Sequence, residues 1–199
     1  MILLLLTMLF STLVNGQNDT LKINRELSNE IIQMLKEDQE VRNKVMATIT
    51  PEGEIDSILE QSGIEIDTRN TNRMKEIVET YGWPTTSMVG KEAASDAIFL
   101  LIHADRDIAF QNKCLSLMKI AAGKQDIDLA TYAVFTDRVL SNQKEKQIYG
   151  TQGTCSKKGW KADPIQDKKN IETIRKQVGL STFKEYKEMM DEMCKKWFK

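Results

Sequence analysis

Residues 91–104, KEAASDAIFLLIHA, decide the fold. Ala93, Ala94, Ala97, Ile98, Leu100, Leu101 and Ile102 leave almost no polar side on this segment, and no proline or glycine interrupts it. Set out at helical pitch, Glu92, Asp96, Phe99 and His103 gather on one stripe roughly 60° wide, and the remaining arc is apolar. A helix that apolar is buried on most sides, so its chain partners must be helices or sheets that cover it. The polar stripe must then be solvated, paired, or line a cleft. His103, at its end, is the only histidine of the chain.

The flanking segments carry the same helical period. Before it, Leu27, Ile31, Met34, Leu35, Val41 and Val45 recur in helical steps from Leu21 to about Ala47, until Pro51-Glu52-Gly53 stops them. Glu54 to Glu60 reads as a short turn of helix. Asp67 to Thr80 reads as another helix, with Met74, Ile77 and Val78 inward and Gly82 as its stop. Trp83 must leave that helix, because Pro84 disfavours α geometry in the residue before it. After the central segment, Ile108 to Ala122 is helical up to Gly123, and Asp128 is an N-cap for a helix running to about Leu140. Glycines and Pro164 break the pattern over 143–165, where Gln147 to Gln152 followed by Trp160 suits a short hairpin. Asn170 to Val178 and a last helix opened by the capping box Thr182-x-x-Glu185 complete the chain. The expectation is a mainly α protein of about six helices, with a small β-hairpin or irregular loop near 145–165. It divides into an N-terminal helical segment, 17–66, and a helical domain, 67–199.

Composition narrows the function. Twenty-eight basic residues face 29 acidic ones, which excludes a polycationic nucleic-acid binder. One histidine excludes any metal or catalytic scheme that needs two, and three cysteines cannot build a zinc ribbon. No GxGxxG, phosphate loop or nucleophile elbow occurs. Residues 2–14, ILLLLTMLFSTLV, are too short to span a membrane but suit the core of a signal peptide, although no Lys or Arg precedes them. Cleavage after Gly16 is expected, giving an exported protein, periplasmic or secreted, with no stable membrane span. In an oxidising compartment Cys155 and Cys194 are the expected pair, and Cys114, on the apolar face of its helix, reads as a small buried hydrophobe.

The polar residues worth attention sit in short groups. His103-Ala-Asp105-Arg106-Asp107 offers an imidazole that Asp107 or Asp96 could orient for acid–base work. The competing reading is a histidine hydrogen-bonded within the core, which is the commoner case. The same five residues hold one nitrogen and two carboxylate ligands, but residues two apart on a helix diverge, and no metal is expected. Asp137-Arg138 adds a carboxylate and a guanidinium fork, and Tyr149-Gly150-Thr151-Gln152 is dense in hydrogen-bonding groups. The catalytic candidates are therefore His103, Asp107 and Asp137; the ligand-binding candidates are Trp83, Arg138, Gln147, Tyr149 and Gln152. No cofactor is implied.

Taken in order, Tyr81-Gly82-Trp83-Pro84, Ser87-x-Val89-Gly90, His103-Ala104-Asp105-x-Asp107-x-x-Phe110-Gln111, Thr136-Asp137-Arg138-Val139 and Gln147-x-Tyr149-Gly150-Thr151-Gln152 resemble an uncharacterised bacterial family catalogued as a domain of unknown function. The resemblance spans about residues 70–186. It implies a largely helical, often exported protein, and it carries over no activity. On the residues themselves, the expectation is a polar pocket that joins these groups and binds a small polar or peptide-like ligand. The alternative is a hydrolase or group-transfer enzyme with His103 as general acid/base.

Overall fold

The computed structural model describes residues 23–48 and 56–197. The leader read in residues 1–16 lies outside them. Among the described residues there are eight helices and one two-stranded antiparallel hairpin, so the protein is mainly α as expected.

Helix α1 (Arg25–Ala47) starts where the Asn24 side chain accepts the Leu27 amide at 3.1 Å, and buries Leu27, Ile31, Met34 and Asp38 on one stripe. Helix α2 (Ser57–Tyr81) is capped by Asp56 through the amides of Ile58 and Leu59. Ion pairs of 2.5 Å join Glu37 to Arg69 and Glu30 to Arg73, so falling numbers on α1 meet rising numbers on α2: the two run antiparallel. From Ser57 on, the helical turn expected at 54–60 and the helix expected at 67–80 are one element. Residue 63 is its interior glycine, a destabilisation of about 1 kcal/mol that the packing of a 25-residue helix absorbs. The boundary drawn between 66 and 67 therefore falls inside α2. Gly82 stops it with φ 77°.

After the Trp83-Pro84 exit comes a four-residue helix, α3 (Thr86–Val89), that the sequence pattern does not reveal. The central segment is α4 (Lys91–Ile102), whose three alanines bring it close to its neighbours. It packs against α1 and α2 on one side and, on the other, against α6 (Leu129–Asn142), which Asp128 caps through Thr131. Helix α5 (Ile108–Gly123) lies beside α6. Ile31, Met74, Ile77, Ile98, Leu101, Met118, Phe135 and Val139 fill the space between these helices. Each such side chain contributes about 1.5–3 kcal/mol by leaving water.

The hairpin is β1 (Gly153–Ser156) with β2 (Gly159–Ala162), Cys155 opposite Trp160. Residues 147–152, read as the opening of a short hairpin, form instead the loop before it, with one β-bridge from Gln147 to Ile165. Helices α7 (Ile171–Gln177) and α8 (Phe183–Trp197) follow; the Thr182–Glu185 box opens α8 reciprocally. Trp160 meets Phe183 and, edge-on, Tyr186 of α8, and a Cys155–Cys194 disulfide ties hairpin to helix. Cys114 is free and buried, and burial pushes its thiol up to about 12. Among the described residues no helix is long and apolar enough to cross a membrane.

Candidate functional site

The burial of α4 delivers its C-cap, His103, against α1. There the stripe Leu27–Ile31–Met34 continues into Asp38, a carboxylate with 0% exposure where the helical period calls for a hydrophobe. Asp38 Oδ2 lies 3.0 Å from His103 Nδ1 and 3.0 Å from Arg42 Nε, and Asp38 Oδ1 accepts from Arg42 Nη2 at 3.1 Å. Arg42 Nη2 also donates to Asp67 of α2. Burial pushes the Asp38 carboxyl up, but its hydrogen bonds to His103 and Arg42 outweigh it and hold the group below the usual carboxylate value. At Asp67 the balance reverses: burial wins over the attraction of Arg42 and the group is raised.

His103 Nδ1 is the meeting point of the cluster: it accepts Arg42 Nε at 3.1 Å and lies 3.0 Å from Asp38 Oδ2. No hydrogen bond among the described residues engages Nε2. A buried carboxylate, an oriented imidazole and an open Nε2 form an arrangement able to take up or deliver a proton.

Two hollows flank the cluster. A polar cleft of about 190 Å³ is lined by His103 and Asp67 together with Thr68, Thr71, Asn72, Lys75, Arg106 and Asp107. A second of about 310 Å³ is lined by Arg42, Val45, Met46, Glu60, Gly63, Ile64 and Asp67. Asp38, Asp67 and His103 bring one potential metal ligand each within 4.8 Å of one another. The Arg42 guanidinium already bonds both carboxylates, so a cation would have to displace it.

Asp107, expected to orient His103, does not. It caps α5 through the Phe110 amide at 2.9 Å and pairs with Lys75 at 2.6 Å; Lys75 and the Phe110 amide hold its carboxyl below the usual value. Asp96 does not orient the ring either, and burial, with Glu92 nearby, pushes its carboxyl up to about 6. Asp105 turns away to Arg138 and Asn142, so the three ligands of the 103–107 group diverge.

The remaining candidates build a joint. Asp137, fully buried on α6, accepts the amides of Ile148 (2.8 Å), Tyr149 (3.0 Å) and Thr151 (2.9 Å), and the Thr151 hydroxyl at 2.9 Å. Burial still raises its carboxyl above the usual value. Gln147, also buried, donates to the carbonyls of Gln152 and Asp163 and accepts the Gln152 amide. Tyr149 offers its carbonyl to Arg175 at 2.6 Å, a buried guanidinium lying over the Tyr186 ring. Gly150 has φ 70°, and a Cβ there would stand 2.8 Å from Phe183, so this turn admits glycine alone. Arg138 bonds Asp105 and reaches Gln152 at 3.5 Å. The structure thus brings Asp137, Arg138, Gln147, Tyr149 and Gln152 together as a clamp on the loop ahead of the hairpin. None of Arg138, Gln147, Tyr149 and Gln152 lines either hollow beside His103. Trp83 is buried apart from both, beside Thr85, Leu117 and Ile120. The single hollow expected to join all these groups is replaced by a clamp and a separate His103 cluster.

Sequence reasoning missed Asp38, Arg42, Asp67, Lys75 and Arg106. One signal was available: position 38 continues the i, i+4, i+7 series of Leu27, Ile31 and Met34, and a charge in a core stripe asks for a partner.

Fold and site define a mainly helical protein with a disulfide-clipped hairpin and one carboxylate-held histidine. Residues 25–196 match a family described as "Family of unknown function (DUF6624)", and the chain belongs to that family. No curated protein and no solved structure matches it.

Proposed function

We propose that the protein binds a small polar or peptide-like ligand in the cleft beside His103, with Nε2 as the group that meets it. The carrying observation is the Asp38–His103 pair: a fully buried carboxylate lies 3.0 Å from Nδ1 of the chain's only imidazole, and that imidazole lines the cleft. Thr68, Thr71 and Asn72 supply neutral hydrogen-bonding groups around it, and Lys75 and Arg106 supply positive charge. The ligand-binding role expected of Arg138, Gln147, Tyr149 and Gln152 becomes in this reading a supporting one.

The same pair favours a second reading, hydrolysis or group transfer with His103 as general base, since a carboxylate-oriented imidazole is the usual form of that machinery. Export completes the proposal; the Cys155–Cys194 disulfide and the apolar run at 2–14 support it. Material recovered outside the cytoplasm should begin at Gln17, which N-terminal sequencing reads directly.

The lone histidine makes the site testable without an assay. In ¹⁵N-labelled protein the imidazole nitrogens give one set of signals. Glycylglycine should displace the Nε2 signal saturably in the wild type, and Arg138→Gln should leave that response unchanged. Imidazole signals that ignore glycylglycine, acetamide and acetate alike would remove the site.

A further inference from the structure

We propose that the ligand is an amphiphile, with an anionic head beside His103 and an apolar tail in the adjoining groove; this rests on the binding reading above. The two hollows share a wall. Asp67 lines both, and Arg42, bonded to Asp67 and Asp38, lines the apolar one while Asp38 holds the imidazole of the polar one. A molecule seated against His103 is therefore next to the groove.

The occupant of the groove follows from its chemistry. Val45, Met46 and Ile64 give it an apolar surface and its volume of about 310 Å³ admits a chain of several carbons. Gly63 is the telling residue. It lies in the interior of α2, has no left-handed backbone to require glycine, and a Cβ placed on it would meet nothing within 4 Å. Neither turn geometry nor close packing explains a helix-weakening residue there. Its effect is to leave the groove open, because any larger side chain would stand in it.

The head is specified by the other hollow. Lys75 and Arg106 are its cations, and Arg106 has no ion-pair partner among the described residues. Lys75 is taken up by Asp107, and Arg42 serves both Asp38 and Asp67, so Arg106 is the cation of this lining that no carboxylate among the described residues meets, and it suits a carboxylate or another small anion.

Straight-chain carboxylates from acetate to octanoate, each below its micelle concentration, test this on the intact protein by calorimetry and by the His103 imidazole signals. Affinity should rise about two- to fourfold per methylene until the groove is full. Octanoate should bind better than octanol, and Arg106→Ala should erase that preference. Gly63→Leu should abolish the chain-length dependence while keeping acetate binding and a melting temperature no lower than wild type. Acetate and octanoate binding equally, with Gly63→Leu silent, would overturn the tail and leave the polar site standing. Glycylglycine moving the imidazole while no carboxylate does would overturn the amphiphile alone. Octanoate affinity falling as protein concentration rises would assign the groove to a second copy of the chain and overturn the proposal.

Discussion

Asp38 is the residue on which the site depends, because two cations or donors from different elements converge on one buried carboxylate. Losing its charge leaves Arg42 with a weaker acceptor and removes the anion beside Nδ1. Asp38→Asn should cost about 2–4 kcal/mol in chemical denaturation. It should also shift the imidazole ¹⁵N signals, since the oxygen 3.0 Å from Nδ1 then carries no charge. The pH dependence has a definite sign. A carboxyl held below its unfolded value stabilises the fold above about pH 4 and loses that contribution as pH falls through the folded value. The wild type should therefore lose stability more steeply than Asp38→Asn on acidification below pH 4. Asp96 gives the opposite case. Its folded value of about 6 exceeds the unfolded 3.8, so its ionisation penalises the fold above pH 6 and the penalty is gone below about pH 4. Asp96→Asn should be more stable than wild type at pH 7 by about 1 kcal/mol, and the gain should vanish by pH 4.

At the scale of elements, α6 and the loop at 147–152 form one unit through Asp137. Four donors meet its two oxygens, three of them backbone amides that have no other partner in the loop. Asp137→Ala strands those buried donors and should cost about 3–5 kcal/mol. If the clamp is separate from the His103 cluster, the imidazole shifts of the folded variant stay at their wild-type values. This unit also marks what a sequence can and cannot disclose. Helix α4 was legible because its apolar arc repeats at helical pitch, and the caps at Asp128 and Thr182–Glu185 were legible because a cap acts on its own chain neighbours. The partners of Asp137 were not, since a carboxylate that accepts backbone amides and one that serves catalysis look alike as letters; its selection as catalytic followed from that. The union of 57–81 into α2 was hidden by Gly63, a residue that normally reads as an interruption. Asp38 stood in plain view within its stripe, but its significance lies in a histidine 65 residues away, which periodicity does not connect to it.

Across the whole molecule, burial is uneven. The core joins α1, α2, α4, α5 and α6, whereas α8 rests on the hairpin and α7, with only Cys194 fully buried among the described side chains of its length. The disulfide closes a sequence separation of 39 residues between hairpin and helix. Restricting a loop of that size in the unfolded chain is worth about 2–4 kcal/mol. Because the bond fastens the least buried part, its loss acts locally before it acts globally. Reduction, or Cys155→Ser with Cys194→Ser, should bring amide exchange in α8 and the hairpin close to the unprotected rate while α1, α2 and α4 keep their protection. The His103 signals and their response to acetate should survive, since the cluster draws its members from α1, α2 and the end of α4. Loss of protection spreading to α4 on reduction would mean that the clamp at Asp137 transmits the tie into the core, and the division of the molecule into a rigid site and a fastened outer layer would fail.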